Sequence, residues 1–233
     1  MVLRMRGEGV AAADLAAAAA RLCLPPPSAA VAAWQVMIVG SVDQGRLERA
    51  LEPPTVACLE WHDGVGDVPV SMSAVERRDG LYLSLTTATA YRLQPAAVFR
   101  QAAARRFTLS AEVGDALELA VHEALANAVL HGNLGLDDMP KDDLDQLAAF
   151  WTAIEDRLGT PALAARRVHV WAEPTGRGLA VTVADEGAGY AAERPRQVDP
   201  ERKSGRGLSI IRGLATRVVT SDGGRRITME FIP

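Results

Sequence analysis

The stretch Ala111–His131 restricts the fold of this chain more than any other. Ser110 stands where a helix N-cap belongs, and Gly132 stands where a helix ends. Between them the residues are mostly apolar. Val113, Leu117, Ala120, Val121, Ala124 and Ala128 recur at helical spacing and predict a stripe facing a core. Glu123, Asn127 and His131 recur every fourth residue, a step of about 40° around the axis, so they form a second, polar stripe. Leu119, Ala126 and Leu130 beside them are apolar. A carboxylate and an amide in such a helix are costly to bury without partners. A metal–phosphate ligand is one partner, and solvent at a helix edge is the other. The helix alone does not choose between them.

The surrounding pattern predicts an α/β chain. Residues 11–23 read as a helix stopped by Pro25-Pro26-Pro27. Residues 35–40 read as a buried strand, 43–51 as a short helix and 55–61 as a second strand, a βαβ-like fragment. A Gly-, Asp- and Pro-rich loop follows at 62–69. The turn Arg77-Arg78-Asp79-Gly80 predicts a domain boundary, dividing an N-terminal α/β region (1–78) from the main domain (79–233). Next come a strand at 81–86, a helix at 95–107 with Pro95 in its first turn, and the long helix. Residues 137–158 read as acidic and then helical, an insertion stopped by Gly159-Thr160-Pro161. Residues 168–173 and 179–184 alternate as a hairpin. A short helix at 207–215 precedes a second hairpin, 217–221 with 226–232, across Asp222-Gly223-Gly224. The fold class predicted is a two-layer α/β sandwich, with helices on one face of a mixed, largely antiparallel sheet.

Bulk properties narrow the function. A formal charge of −4 with no long basic run argues against nucleic acid as the main partner. Cys23 and Cys58 lack a metal-binding or CxxC spacing and read as buried thiols in a reducing compartment. Residues 10–20 are alanine-rich, but Asp14 interrupts them and Glu8 precedes them, which argues against a secretory leader. No apolar run reaches membrane-spanning length. The expectation is a cytoplasmic protein without a membrane partner.

Two further segments carry chemistry. Asp185-Glu-Gly187-Ala-Gly189 follows a strand directly. An aspartate at a strand end can accept a hydrogen bond from an exocyclic amine such as adenine N6, and glycines allow a flat ring close to backbone. Taken alone, the segment reads equally as an ordinary Asp-Gly turn. Gly205-Arg206-Gly207-Leu208 places glycines at a helix start, where backbone N–H groups and the helix dipole favour phosphate. Lys203 and Arg206 add positive charge. On its own this is a common glycine-rich helix start.

Taken jointly and in order, "HEALANAVLHGN", "VADEGAGY" and "GRGLSIIRGL" resemble the N, G1 and G2 boxes of the GHKL ATPase superfamily, whose ATP-binding domain has the Bergerat-type fold. The spelling is most similar to the bacterial anti-sigma factor serine/threonine kinases, and the likeness covers residues 79–233. The resemblance implies ATP and Mg²⁺ as cofactors. It implies Glu123 as general base and Asn127 as the Mg²⁺ ligand. Asp185 would anchor adenine, with Gly187 and Gly189 shaping its pocket. Gly205, Gly207 and Leu208 would bring backbone to the phosphates. Residues 190–204 would form the ATP lid, with Arg194, Arg196 and Lys203 as phosphate contacts. His131 closes the N box, either as a ligand contact or as a histidine favoured by the helix C-terminus. The implied partners are an anti-sigma-antagonist-type protein and a sigma factor, and a homodimer is in keeping with them. Two functions follow: a protein serine/threonine kinase, or a non-catalytic nucleotide-binding module that switches a protein interface.

Other chemistries fit less well. A zincin needs HExxH after His122-Glu123, but position 126 is Ala. A histidine kinase needs a phospho-accepting histidine on a separate dimerisation helix, and nothing in this sequence resembles that helix. The N-terminal region faintly resembles a reduced receiver domain, yet the first 140 residues contain no lysine, so the receiver's lysine is absent. Trp34, Met37 and Trp61 are expected in the core. The aspartates 137, 138, 142 and 143 lack the spacing and glycine of an EF-hand. The insertion that carries them reads as a solvated helix or as a docking element for a partner.

Overall fold

The computed structural model describes residues 3–22, 24, 34–61, 79–140, 143–189 and 206–232. The chain begins β1 (Leu3–Glu8), α1 (Ala12–Arg21), β2 (Trp34–Val39), α2 (Gln44–Ala50), β3 (Thr55–Glu60) and β4 (Leu81–Thr86). It continues through α3 (Thr87–Arg92), α4 (Pro95–Ala104) and α5 (Ala111–Asn127), which runs into a π-helical turn at Ala128–Asn133. The remainder is α6 (Leu144–Leu158), α7 (Pro161–Ala164), β5 (Arg167–Pro174), β6 (Leu179–Asp185), α8 (Arg206–Leu214), β7 (Arg217–Ser221) and β8 (Arg226–Phe231).

Among the described residues all eight strands share one sheet, in the order β1-β2-β3-β4-β5-β6-β8-β7. β1 to β4 pair in parallel. From β4 onward every pairing is antiparallel, as the two predicted hairpins require. The fold is thus the expected mixed α/β sandwich. Its main core lies between the sheet and α2, α4, α5 and α8, where Phe99, Leu117, Val121, Leu83, Val181 and Ile211 meet. The predicted α5 stripe is this face: Leu117, Ala120, Val121, Ala124 and Ala128 are buried, and Val113 packs at the edge.

The sequence predicts helices on one face only, and α1 departs from that. Ala18, Ala19 and Leu22, at and just past the end of α1, pack with Met5, Ile38, Leu59, Tyr82 and Trp171 on the opposite side. Parallel strands with neighbours on both sides are apolar on both faces, so β2 and β3 need cover on both. Met37 and Cys58 meet α2's core while Ile38 and Leu59 meet α1's. Met37 is buried as expected, and Trp34 and Trp61 pack at the rim of the second cluster.

Other boundaries also moved. The α-helix expected to reach His131 stops at Asn127, and the chain widens into the π-turn, with Leu134 N–H donating to Val129 O at 2.9 Å. The insertion becomes helical only at Leu144, because Asp143 caps it by accepting from the Asp145 and Gln146 N–H groups at 2.9 and 3.1 Å. The Gly-, Asp- and Pro-rich loop 62–69, the first half of the boundary turn (77–78) and Cys23 lie outside the described residues. Cys58 is buried and free, and burial pushes its thiol up to about 12. That fits an inert core thiol.

Candidate functional site

The predicted segments converge on one cleft of about 790 Å³. α5 and its π-turn supply Asn127, His131 and Gly132. The end of β6 supplies Asp185, the segment after it supplies Gly189, and the start of α8 supplies Gly207 and Leu208.

The long helix owes its start to Ser110, whose Oγ accepts from Val113 N–H at 3.2 Å. Its packing brings α8 against the polar stripe. A Cβ on Gly207 would lie 3.0 Å from Glu123 Oε2 and 3.1 Å from Asn127 Nδ2. The glycine therefore lets the start of α8 rest on both side chains. Glu123 and Asn127 are half-buried, so the desolvation anticipated for them is partial. Asn127 lines the cleft, and Glu123 stands beside it at Gly207.

The opposite wall is built by a second close approach. A Cβ on Gly132 would come within 2.5 to 2.8 Å of the Asp185 carboxylate. A Cβ on Gly187 would collide with the Gly132 carbonyl. The π-turn is the physical reason Gly132 reaches this position, and such turns recur at functional sites. Gly187 N–H donates to Asp185 Oδ1 at 2.8 Å. Burial pushes the Asp185 carboxyl up to about 6, while that hydrogen bond and the Arg225 and Arg166 guanidiniums hold it lower than burial alone would. Gly189 adopts φ +71°, a left-handed conformation suited to glycine.

His131 lines the cleft with its ring tied back. Its Nδ1 lies 2.8 Å from Leu136 O, which makes Nδ1 the protonated nitrogen, and its Nε2 lies 3.9 Å from Asp138. Lys203, Gly205 and the expected lid with Arg194 and Arg196 lie outside the described residues. Arg206 opens α8, and its side chain is likewise outside them.

Several wall residues carried no signal in the sequence. Arg157 on α6 donates to Leu134 O at 2.7 Å, and Arg166 donates to Asn133 O at 2.6 Å. Asn133, directly after Gly132, is fully buried behind the wall. Gly132 itself was legible only as a helix stop. The insertion therefore contributes to the cleft through Arg157, Asp137 and Asp138 as well as Met139.

This arrangement can hold an elongated, anionic ligand with a flat head. One end offers a carboxylate acceptor between close-packed glycines. The other offers a helix start beside an amide oxygen suited to a hard cation. No curated protein sequence matches the chain. A family model for the histidine kinase-like ATPase domain matches residues 86–231, from the last residue of β4 to the last of β8. That span holds every described residue of the cleft, and the chain belongs to the histidine kinase-like ATPase domain family.

Proposed function

We propose that the chain is a Mg²⁺- and ATP-dependent protein serine/threonine kinase of the anti-sigma-factor type, acting on an anti-sigma-antagonist-like partner. Family membership implies an adenine nucleotide. The observation that carries the finer reading is the seat of Gly207 on Glu123 and Asn127, with Asp185 on the opposite wall of the same cleft. A base, a metal ligand and a phosphate-side helix start then stand together, as phosphoryl transfer requires.

The residues present fit Mg²⁺ and ATP. Asn127 offers a neutral oxygen, and Gly207 leaves room that a Cβ would fill. Bound Mg²⁺ would neutralise charge on the transferring phosphoryl group. Asp185 accepts from the adenine amino group, and Gly189 allows the ring close to backbone. The N–H groups at the start of α8 orient the phosphates. Glu123 takes the proton from the acceptor hydroxyl.

The competing reading, a nucleotide-dependent switch without catalysis, draws on α6. Its core side is Phe150, Ile154 and Leu158, yet Leu144 and Trp151 face outward. The two readings separate in one assay. The full chain, as wild type and as Glu123→Ala, is incubated with labelled ATP and a candidate antagonist protein. The kinase reading expects transfer by the wild type and a loss of about 100-fold or more in the variant, with nucleotide binding retained. Unchanged transfer in the variant would remove Glu123 as the base.

A further inference from the structure

Behind the cleft wall lies a buried side chain that does not line the cleft. Asn133 is 0% exposed and its amide is fully engaged. Nδ2 donates to Thr87 Oγ1 at 2.8 Å and to Arg167 O at 2.9 Å. Oδ1 accepts from Glu186 N–H at 2.8 Å. The backbone oxygen accepts from Arg166. One amide therefore joins α3, β5 and the end of β6 to the π-turn.

The neighbours of those bonds matter. Asn133 follows Gly132, and Glu186 follows Asp185. The bond between the Asn133 side chain and the Glu186 backbone thus fastens the two segments one residue from where Gly132 meets the carboxylate. On the far side the anchor is stiff. Arg167 N–H donates to Glu186 Oε2 at 2.8 Å. The Arg167 guanidinium, 2% exposed with its residue, reaches Ser84 Oγ at 3.1 Å and Glu60 O at 2.7 Å. Glu60 in turn accepts from Thr86 N–H and Thr89 Oγ1 at 2.6 and 2.7 Å. Within this network Arg167 Nε alone has no partner among the described residues, and the remaining bonds hold the anchor from several sides, as buried polar networks do when they favour one geometry.

We propose that Asn133 is a positioning residue that fixes the Asp185 carboxylate for the base of the nucleotide, and so sets the preference for adenine over guanine. This rests on the nucleotide reading above. Adenine presents an amino donor where guanine presents the O6 acceptor. A fixed carboxylate accepts from the first and repels the second. Polar sites built for one hydrogen-bonding pattern discriminate strongly, and they lose that power when the group is free to shift. Without the Asn133 amide, Glu186 N–H and Arg167 O lose their partner, and the Gly132–Asp185 approach is no longer fastened.

The test is equilibrium binding of Mg·ATP and Mg·GTP to the full chain. Three proteins are compared: wild type, Asn133→Ala and Thr87→Val. Thr87 is buried and does not line the cleft; its Oγ1 accepts from the Asn133 amide and donates to Arg166 O at 2.8 Å, so its variant loosens the amide together with that one backbone contact while nearly keeping shape. Asn133→Ala is expected to weaken ATP about tenfold or more and leave GTP nearly unchanged, so the ATP:GTP ratio narrows by that factor. Thr87→Val narrows it in the same direction by about threefold. A general loss of stability lowers both affinities together and leaves the ratio unmoved. An unchanged ratio in Asn133→Ala, or in Thr87→Val if the first variant fails to fold, overturns the assignment. A wild type that binds neither nucleotide overturns the nucleotide reading itself, a result distinct from any variant's.

Discussion

At the scale of single residues, Asp185 carries a conflict between stability and binding. Its carboxyl is raised to about 6 from 3.8 by burial. Between about pH 4 and pH 6 the folded protein therefore holds more protons than the unfolded chain, and the stability of the ligand-free protein falls as pH rises through that window. Nucleotide binding runs the other way, because the ionised carboxylate is the better acceptor for an amino group. Asp185→Asn is expected to raise the melting temperature at pH 7.5 and to weaken ATP binding by about tenfold or more. It should also flatten the loss of ATP affinity below pH 6. Thermal melts and nucleotide titrations at several pH values check this, and a variant that melts lower while binding ATP normally would contradict it. Asp185 and its glycines were legible because strand, acid and glycines are neighbours in sequence. Asn133 was not, since its partners Thr87, Arg167 and Glu186 come from three distant segments.

At the scale of elements, legibility followed the strength of the local period. α5 stood out because its cap, apolar stripe and terminal glycine agree. Its last turn did not, because the switch to π geometry answers a tertiary demand: Gly132 must meet Asp185 and Asn133 must enter the core. β1 was missed because Arg4, Arg6 and Glu8 break up its apolar pattern on an edge strand. α3 was missed because its six residues are too short to show a helical period, and it is started by Thr86, whose Oγ1 accepts from Thr89 N–H. The cap of α5 allows a clean separation of element from site. Ser110→Ala removes the bond to Val113 N–H and is expected to cost about 1 kcal/mol of unfolding free energy. The cap is remote from the cleft, so ATP affinity should stay unchanged. Denaturant unfolding and nucleotide titration together check it.

At the scale of the whole molecule, the sheet crosses the boundary expected near residue 78. β3 pairs with β4 through Ala57–Tyr82, Cys58–Leu83 and Leu59–Ser84. The main core mixes Met37, Val39 and Leu47 with Phe99 and Leu117. Arg167 and Glu60 tie the two parts at the buried level. Calorimetry of the full chain should therefore show one cooperative transition covering both parts. Two separated transitions would contradict a shared core. The measurement closest to the central claim is the binding of ATP to the full chain, with and without Mg²⁺, for wild type and Asn127→Ala. The account predicts that Mg²⁺ tightens ATP binding to the wild type, and that Asn127→Ala removes most of that gain. A wild type that binds no adenine nucleotide, or an Asn127→Ala variant with the same Mg²⁺-dependent affinity, would contradict it.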